Sequence, residues 1–312
     1  MMSIGLAHVC GKRLWKGHKD CINCIDTTTE QFGLIATGSD DKSIRIWDIR
    51  TEHASKCILG CFDAPIESVR FHPCENHRMF AACGRQLFEF DLRTEGILIR
   101  TPRVSLSSIA TDDIDAIVFR YDGEEIAVSD DSGVVTIVEP NCLETQKPRR
   151  LKGAHTNIVN AIAYNPMKPN NIVTGGFDCL LCSWDLDTPG TVPVPAAIVN
   201  IGQLSGATSL KSSGAAGIFA SLQTINPPFV QSLSYAYAGQ AVAVVLGDGS
   251  LKIVDFEDPY TLLACVPNAH AGMATALHVT STNSSITTTA GGSESAYPVS
   301  GDLLFSGGSY II

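Results

Sequence analysis

The feature that most constrains this chain is an internal repeat. Two segments carry a histidine, a threonine, an aspartate and a tryptophan, and in both the aspartate follows the histidine by 23 residues and precedes the tryptophan by 6. The matched residues are His18, Thr37, Asp41 and Trp47 in the first segment and His155, Thr174, Asp178 and Trp184 in the second. Four positions matched without a gap indicate that one structural unit occurs at least twice.

Short runs rich in β-branched residues lie between these positions. In the first segment they are residues 22–26, 34–38 and 43–48, bounded by Gly, Ser and Asp, and no helical periodicity persists beyond a turn or two. Each repeat is therefore predicted to be a set of short antiparallel strands.

Weaker copies of the unit fill most of the remaining chain. The residue pairs that close successive copies begin at positions 47, 90, 138, 184 and 254, which gives a period of about 45 residues with one insertion. We expect one domain over residues 1–312. Its expected repeats are 15–60, 61–105, 111–151, 152–201, 229–265 and an incomplete copy at 268–312, with loop insertions at 202–228 and 280–301.

Composition limits the class of protein. There are 32 acidic and 22 basic residues, and the resulting net charge of -10 disfavours a surface that follows nucleic-acid phosphates. Hydrophobic residues make up 45% of the chain, which is enough for a large core. The longest sharp apolar run, residues 241–246, has the length of a strand and is too short to cross a membrane.

Two further features favour a soluble protein of the cytoplasm or nucleus. The amino terminus lacks a basic head followed by an extended apolar stretch, so it does not resemble a secretory signal. The 11 cysteines are scattered and odd in number, which suits free thiols in a reducing compartment.

The repeated pattern resembles that of the WD-repeat β-propeller family. A loop containing Gly and His, a small-residue strand, an Asp turn and a strand ending in Trp-Asp recur at the family's period. The run DSGVVTIVE and the segments that follow it resemble the WD repeat-containing protein 53 subfamily. The resemblance implies an all-β fold in which the matched residues form two structural hydrogen-bonded tetrads, with Thr37 or Ser39 as the hydroxyl of the first.

The two ends of the chain lead to an expectation about the number of blades. In the sixth copy Tyr310 stands where the repeat carries its Asp, and the third strand of that copy is missing. Residues Lys12 to Trp15 resemble an outer strand that closes a propeller ring. We expect five full blade repeats plus a truncated sixth, from a seven-bladed parent.

No motif of a hydrolase nucleophile elbow, a P-loop or a zinc protease occurs in the chain, so we expect a protein without catalytic residues or cofactors. Three groups have metal-ligand chemistry: Cys21 with Cys24, Cys179 with Cys182, and His72 with Cys74 and His77. Both cysteine pairs are predicted to lie within strands, where an offset of three residues sends the thiols to opposite faces. Packing thiols, and no metal, are therefore expected.

One dense basic run is present. Lys147, Arg149, Arg150 and Lys152 are predicted to lie on an outer strand. They could attract an acidic partner, but a solvated strand edge that deters aggregation is the favoured interpretation.

The end of the first repeat carries the strongest functional signal. Trp47-Asp48-Ile49-Arg50, after a small-residue strand and an acidic turn, resembles the box of WD-repeat proteins that dock on damage-specific DNA-binding protein one, the adaptor of the cullin-4 ubiquitin ligase. Phe90-Asp91-Leu92-Arg93 is an imperfect second copy. The resemblance implies partner contacts by Trp47, Asp48, Arg50, Asp91 and Arg93.

Two functions are consistent with these features. The first is a substrate receptor, acting as a monomer within a complex that contains the adaptor and a client protein. The second is a general assembly scaffold, in a chromatin or ribosome-maturation complex, without any ligase.

Overall fold

The fold was obtained as a computed structural model of the 312-residue chain. It describes residues 16–28, 33–51, 54–107, 109–143, 145, 147–187, 193–204, 226–256, 260–267, 269–270, 272–282 and 301–308. Lys12–Trp15, Tyr310 and most of the two predicted insertions lie outside these ranges. Among the described residues no helix is long and apolar enough to cross a membrane.

The described residues form six sheets, numbered here in chain order. Sheet 1 contains β1 (Ile22–Thr27), β2 (Leu34–Ser39), β3 (Ser43–Asp48) and β4 (Ala54–Leu59). The next strands are β5 (Ile66–Phe71), β6 (Arg78–Cys83) and β7 (Gln86–Asp91) of sheet 2, then β8 (Leu98–Ile99), which joins sheet 1, and β9 (Val104–Leu106), which completes sheet 2. Sheet 3 contains β10 (Ile114–Phe119), β11 (Ile126–Asp130), β12 (Val135–Val138) and β13 (Arg149–Leu151).

The same order continues in the second half. Sheet 4 contains β14 (Val159–Tyr164), β15 (Asn171–Gly176), β16 (Leu180–Asp185) and β17 (Pro195–Asn200). Sheet 5 contains β18 (Val230–Ala236), β19 (Ala241–Leu246), β20 (Leu251–Asp255) and β21 (Leu262–Val266). Sheet 6 pairs β22 (Ala274–Thr282) with β23 (Gly301–Gly308). Within each sheet, consecutive strands are antiparallel neighbours, as predicted for the repeat.

The sheets pack face to face in chain order, with their first strands side by side. The second strands of sheets 1 to 5 are almost wholly buried, and β6, β11 and β19 expose none of their residues. Gly38 shows how close the sheets approach, because a Cβ atom there would lie 2.5 Å from Ile66 of the next sheet. Burying both faces of a small sheet requires such neighbours, so the repeats form one continuous core.

Every first strand carries a β-bulge at its second residue. The bulged residues are all polar: Asn23, Glu67, Asp115, Asn160, Gln231 and Thr275. A bulge adds one unpaired residue and increases the local twist of the strand. Its recurrence in all six sheets marks the repeat more regularly than any side chain does.

Sheet 1 contains a fifth strand that comes from the connection between β7 and β9. β8 runs parallel to β4, with Cys57 opposite Leu98 and Ile58 opposite Ile99. Lys56 adds two hydrogen bonds from its ammonium group, to the carbonyls of Thr94 (2.6 Å) and Gly96 (2.8 Å). The connection therefore crosses from sheet 2 to the outer edge of sheet 1 and back.

Candidate functional site

The four repeated residues of sheet 1 form one hydrogen-bonded chain. Trp47 donates from Nε1 to Thr37 Oγ1 (2.8 Å), Thr37 Oγ1 lies 2.8 Å from His18 Nε2, and His18 Nδ1 lies 3.0 Å from Asp41 Oδ2. All donors are used when the imidazole donates to Asp41 and accepts from the Thr37 hydroxyl. Thr37 is therefore the hydroxyl of the chain, whereas Ser39 accepts from the Asp41 amide.

The second tetrad, in sheet 4, has the same geometry. Trp184 Nε1 donates to Thr174 Oγ1 (3.0 Å), which lies 2.8 Å from His155 Nε2, and His155 Nδ1 lies 3.1 Å from Asp178. The threonine hydroxyl is the hub because it contacts both rings. Each buried polar group of this tetrad therefore has a partner, as polar groups in a protein core require.

The aspartates connect the tetrads to the loop before the first strand. Burial of the Asp41 carboxyl raises its pKa, but hydrogen bonds from Ser43, the Lys19 amide and His18 outweigh this effect and lower the pKa to about 2. Asp178 accepts equivalent bonds from His155 and Thr156, and its pKa is also lowered despite burial. Both carboxylates are ionised and fully engaged in holding loops, which leaves them no free lone pair directed at a substrate.

Sheet 2 fills the positions of the tetrad with apolar side chains, which make no hydrogen bonds. By strand register, Phe62, Ala81 and Phe90 occupy the positions of the histidine, threonine and tryptophan. Phe62 packs edge-on against both Phe88 and Phe90. The weaker copy of the repeat therefore has an apolar cluster in place of the tetrad.

The predicted partner-binding arginine of sheet 1 lies just beyond β3. Arg50 donates from Nε to Asp48 Oδ1 (2.8 Å) and from Nη2 to Asp48 Oδ2 (2.6 Å), and its side chain is 70% exposed. These hydrogen bonds lower the pKa of Asp48 to about 2. The carboxylate orients the guanidinium, while most of its surface remains open to a partner.

Arg93 repeats this arrangement at the end of β7. It donates from Nη2 to Asp91 Oδ2 (2.7 Å) and from Nε to Asp91 Oδ1 (3.0 Å), and its side chain is 68% exposed. Because β3 and β7 are equivalent strands of adjoining sheets, both arginines lie on the same rim. The contact of Lys56 with Thr94, one residue beyond Arg93, attaches this loop to sheet 1.

Comparison with known proteins identifies the repeat. The family model "WD domain, G-beta repeat" matches residues 10–48 and 146–185, which include both tetrads. The chain contains WD repeats and has the fold of a β-propeller. Each sheet described above is one blade, and proteins built on such repeats serve as interaction scaffolds.

Two relatives and one solved structure are similar to this propeller. It is 26% identical over 246 residues to WD repeat-containing protein 53 homolog of Dictyostelium discoideum, covering 76% of this chain and 62% of the relative. A shorter match, 40% identical over 73 residues, is to Polycomb group protein FIE2 of Zea mays, covering 22% of this chain and 18% of the relative. A chain in the crystal structure of the mitotic checkpoint complex has the same fold, with a TM-score of 0.64 and 15% identity over 83% of this chain and 68% of that chain.

The position of the two arginines is specific to two blades of the propeller. Two residues after the closing pair, the other full repeats carry Asn141, Asp187 and Glu257. Arginine is therefore confined to neighbouring blades 1 and 2, and acidic or amide residues take its place elsewhere. Sequence inspection can find this contrast once the repeats are aligned.

Trp47 is buried and donates its only N–H to Thr37, so its observed role is in the tetrad, and its predicted partner contact stays a prediction. Its role is to hold β3 against the tetrad. Asp48 and Asp91 orient the two arginines.

The reason given against a metal at the cysteine pairs also needs correction. β1 begins at Ile22 and β16 at Leu180, so Cys21 and Cys179 precede the strands in which they were predicted to lie. Among the described residues, the only group of three ligand-type side chains within mutual reach is Asp20, Cys21 and Asp40. Neither cysteine pair belongs to a group of this kind.

His72 has a structural role in the turn between β5 and β6. Its Nδ1 accepts from the amides of Cys74 (3.2 Å) and Glu75 (3.0 Å), and the Gly123 carbonyl of blade 3 accepts from the ring. Both ring nitrogens are therefore in use. His77 lies 3.7 Å from Glu75 and makes no metal set with His72.

Of the basic run, Arg149 and Arg150 lie on the outer strand of blade 3, as predicted, whereas Lys147 and Lys152 flank that strand. Arg149 contacts Glu125 Oε1 (3.1 Å) and the Leu186 carbonyl (3.2 Å), and Arg149 and Arg150 are half-buried. The charge of Arg149 is therefore engaged within the propeller.

Proposed function

We propose that this propeller docks on the adaptor of the cullin-4 ubiquitin ligase through Arg50 and Arg93, and that it acts as a non-enzymatic substrate receptor in the cytoplasm or nucleus. The observation that carries the proposal is the pair of matching Asp–Arg arrangements on adjoining blades. Two guanidinium groups held in one orientation on one rim form a preorganised interface.

The chemistry of the pair suits a protein partner. A guanidinium group presents several donors in a rigid plane, and arginine is enriched among the residues that dominate binding energy. Here the aspartate fixes the plane before the partner arrives, which reduces the entropy lost on binding. The unoccupied donors face carbonyls or carboxylates of the adaptor, and the opposite rim is free for a client protein.

The test is capture of the purified adaptor by the propeller and its variants. Arg50→Ala should weaken binding by about 2 kcal/mol or more, which is over tenfold in affinity, if Arg50 is a dominant contact. Arg93→Ala should have a smaller effect because its repeat lacks the tryptophan and the acidic turn. Arg50→Lys separates charge from geometry, since lysine keeps the charge but not the planar fork.

Arg85 provides a matched control on the opposite rim. It is exposed and paired with Asp112 (2.7 Å) at the other end of β7, so Arg85→Ala removes an equal charge without touching the proposed interface. Thermal melts of all variants exclude unfolding. If wild type fails to capture the adaptor, or if the Arg50→Ala, Arg93→Ala double variant binds as well as wild type, the receptor role is wrong and a general assembly scaffold remains.

A further inference from the structure

The outer strand of blade 4 is an uncharged edge. β17 is the last strand of its sheet, and no strand among the described residues pairs with its outer side. Residues 193–204 contain no ionisable side chain. Ile198, near the middle of the strand, is 52% exposed. Edges of this kind are templates for another strand, and proteins usually protect them with charge or cover.

The corresponding edge of blade 1 already holds an added strand. The Cys57 amide donates to the Ile97 carbonyl (2.8 Å), and β8 continues beside Ile58. Cys57 is consequently only 8% exposed. The strand that occupies this edge is the aliphatic triplet Ile97-Leu98-Ile99.

Strand register makes Ile198 the counterpart of Cys57. Arg45 pairs with Cys57 and Cys182 pairs with Ile198, and Arg45 and Cys182 each lie two residues before the tryptophan of their strand. Both outer strands also have a register shift beside that tryptophan. The two edges therefore present the same backbone groups in the same order.

The Ile198 amide is directed away from its own sheet. The Ile201 amide donates inward, to the Cys179 carbonyl of blade 4. Backbone groups of successive strand residues point to opposite sides, so Val199 also faces inward and Ile198 faces outward. The Ile198 amide therefore offers an incoming strand the hydrogen bond that the Cys57 amide donates to the Ile97 carbonyl in blade 1.

Other blades differ at this position. Blade 3 carries Arg150 opposite Thr136, and its outer strand has only three residues. Blade 2 carries Ser105 on an equally short strand. Among the described outer strands, β17 combines a six-residue length with an exposed branched side chain at the pairing position.

We propose that the outer edge of β17 binds an extended aliphatic segment of a partner protein by parallel strand addition at Ile198 and Val199. Main-chain hydrogen bonds provide the affinity in this mode, and alternate side chains provide selectivity. The segment resembles Ile97-Leu98-Ile99 in chemistry. This interface is separate from Arg50 and Arg93, so it stands or falls independently of adaptor docking.

The experiment uses a fluorescent synthetic peptide that copies residues 94–101 as its probe. Parallel pairing predicts that the amide of the peptide residue matching Ile99 donates to the Ile198 carbonyl. A second peptide is therefore methylated on that nitrogen, which removes the donor and leaves every side chain unchanged. Saturable binding of the first peptide, at least tenfold weaker binding of the second, and slower hydrogen exchange of the Ile198 amide are expected.

Two protein variants complete the test. Ile198→Arg introduces the residue that blade 3 carries at this position and should weaken peptide binding at least tenfold. Leu263→Arg, at an exposed leucine of β21, is the control for non-specific apolar contact and should bind like wild type. The proposal is overturned if wild type does not bind the first peptide at its highest soluble concentration, or if either Ile198→Arg or methylation leaves binding unchanged. Self-association lost in Ile198→Arg, without peptide binding, also overturns it because the occupant is then a second copy.

Discussion

Phe62 packs edge-on against Phe90 in blade 2, with ring centroids 5.8 Å apart, where blades 1 and 4 have a histidine and a tryptophan joined through a threonine. Ala81, at the threonine position, leaves room for the rings and has no polar atom in its side chain. A complete hydrogen-bonded chain and an apolar cluster are both stable because neither buries an unpaired polar group. A blade that combines part of the hydrogen-bonded chain with part of the apolar cluster leaves a buried polar group unpaired and is less stable.

The threonine hub of blade 4 should therefore be sensitive to single replacement. Thr174→Ala leaves His155 Nε2 and Trp184 Nε1 without their shared partner and should lower the free energy of unfolding by about 1–3 kcal/mol. Combining it with His155→Phe and Trp184→Phe, the residues of blade 2, should lower stability by less than the sum of the three single changes. Urea unfolding measures each value, and simple additivity would contradict the coupling.

Asp178 should contribute to stability in a pH-dependent way. Its pKa in the folded protein lies below the ordinary value of 3.8, despite burial, because His155, Thr156 and Leu180 donate to it. Its contribution is thus present above pH 3.8 and is lost as the pH falls further. Asp178→Ala should lower stability by about 1–3 kcal/mol near neutral pH, and the difference from wild type should shrink in acid. Asp185→Ala, at the exposed end of β16, the strand that follows Asp178, should change the melting temperature little.

The repeat and its strand order were predictable because they depend on local patterns. The spacing of His18, Asp41 and Trp47 predicted a blade, and the structure places strands over each predicted run of that repeat. The expected repeat of residues 152–201 contains the four strands of blade 4, of which the last is Pro195–Asn200.

The strand β8 and the bulges were not predictable in this way. β8 has only two residues, and its partner Cys57 belongs to another repeat, so no local pattern signals the pairing. The bulged residues share polarity but not identity, and they become recognisable only when register is known. Trp47 was given a partner role as well as a structural one because a motif shows which residues recur and does not show which of them reach solvent.

His72 and Asn165 perform the same task in blades 2 and 4. Asn165 Oδ1 accepts from the amides of Met167 (2.9 Å) and Lys168 (3.0 Å), and its Nδ2 donates to the Gly239 carbonyl of blade 5 (2.8 Å). His72→Asn should therefore preserve the turn, whereas His72→Ala should lower stability by about 1–3 kcal/mol. Equal losses in the two variants would show that ring packing, and not hydrogen bonding, is what matters at this position.

The same pair of variants tests a pH effect. Burial, with a smaller contribution from Arg78, lowers the pKa of His72 in the folded protein. Its contribution is therefore present above the ordinary value of 6.5 and is lost as the pH falls below it. As the pH is lowered from about 7.5 to about 5, the free energy of unfolding of His72→Asn should accordingly rise relative to that of wild type. An unchanged difference over this range would contradict a buried neutral ring.

A buried ion pair within blade 2 also contacts blade 3. Arg78 donates from Nε to Glu89 Oε1 (2.7 Å) and from Nη1 to Asn141 Oδ1 (2.8 Å), and Glu89 is only 1% exposed. Removing Glu89 leaves the buried Arg78 charge with Glu75, 3.6 Å away and partly exposed, as its remaining carboxylate partner. Glu89→Ala should therefore lower the free energy of unfolding by about 3–5 kcal/mol, among the largest effects expected of a single change.

The double change Arg78→Met, Glu89→Leu should lower stability by less than Glu89→Ala alone. It removes both charges together and replaces them with apolar side chains, so no charge remains buried without a partner, although the Pro140 carbonyl loses its bond from Arg78. Arg103, which also donates to Glu89, is half exposed and can turn to water when the carboxylate is gone. Arg85→Ala, at an exposed ion pair, should change stability by less than about 1 kcal/mol. If the double variant is less stable than Glu89→Ala in urea unfolding, the pair is a net source of stability, and the penalty for burying its charges is smaller than the attraction between them.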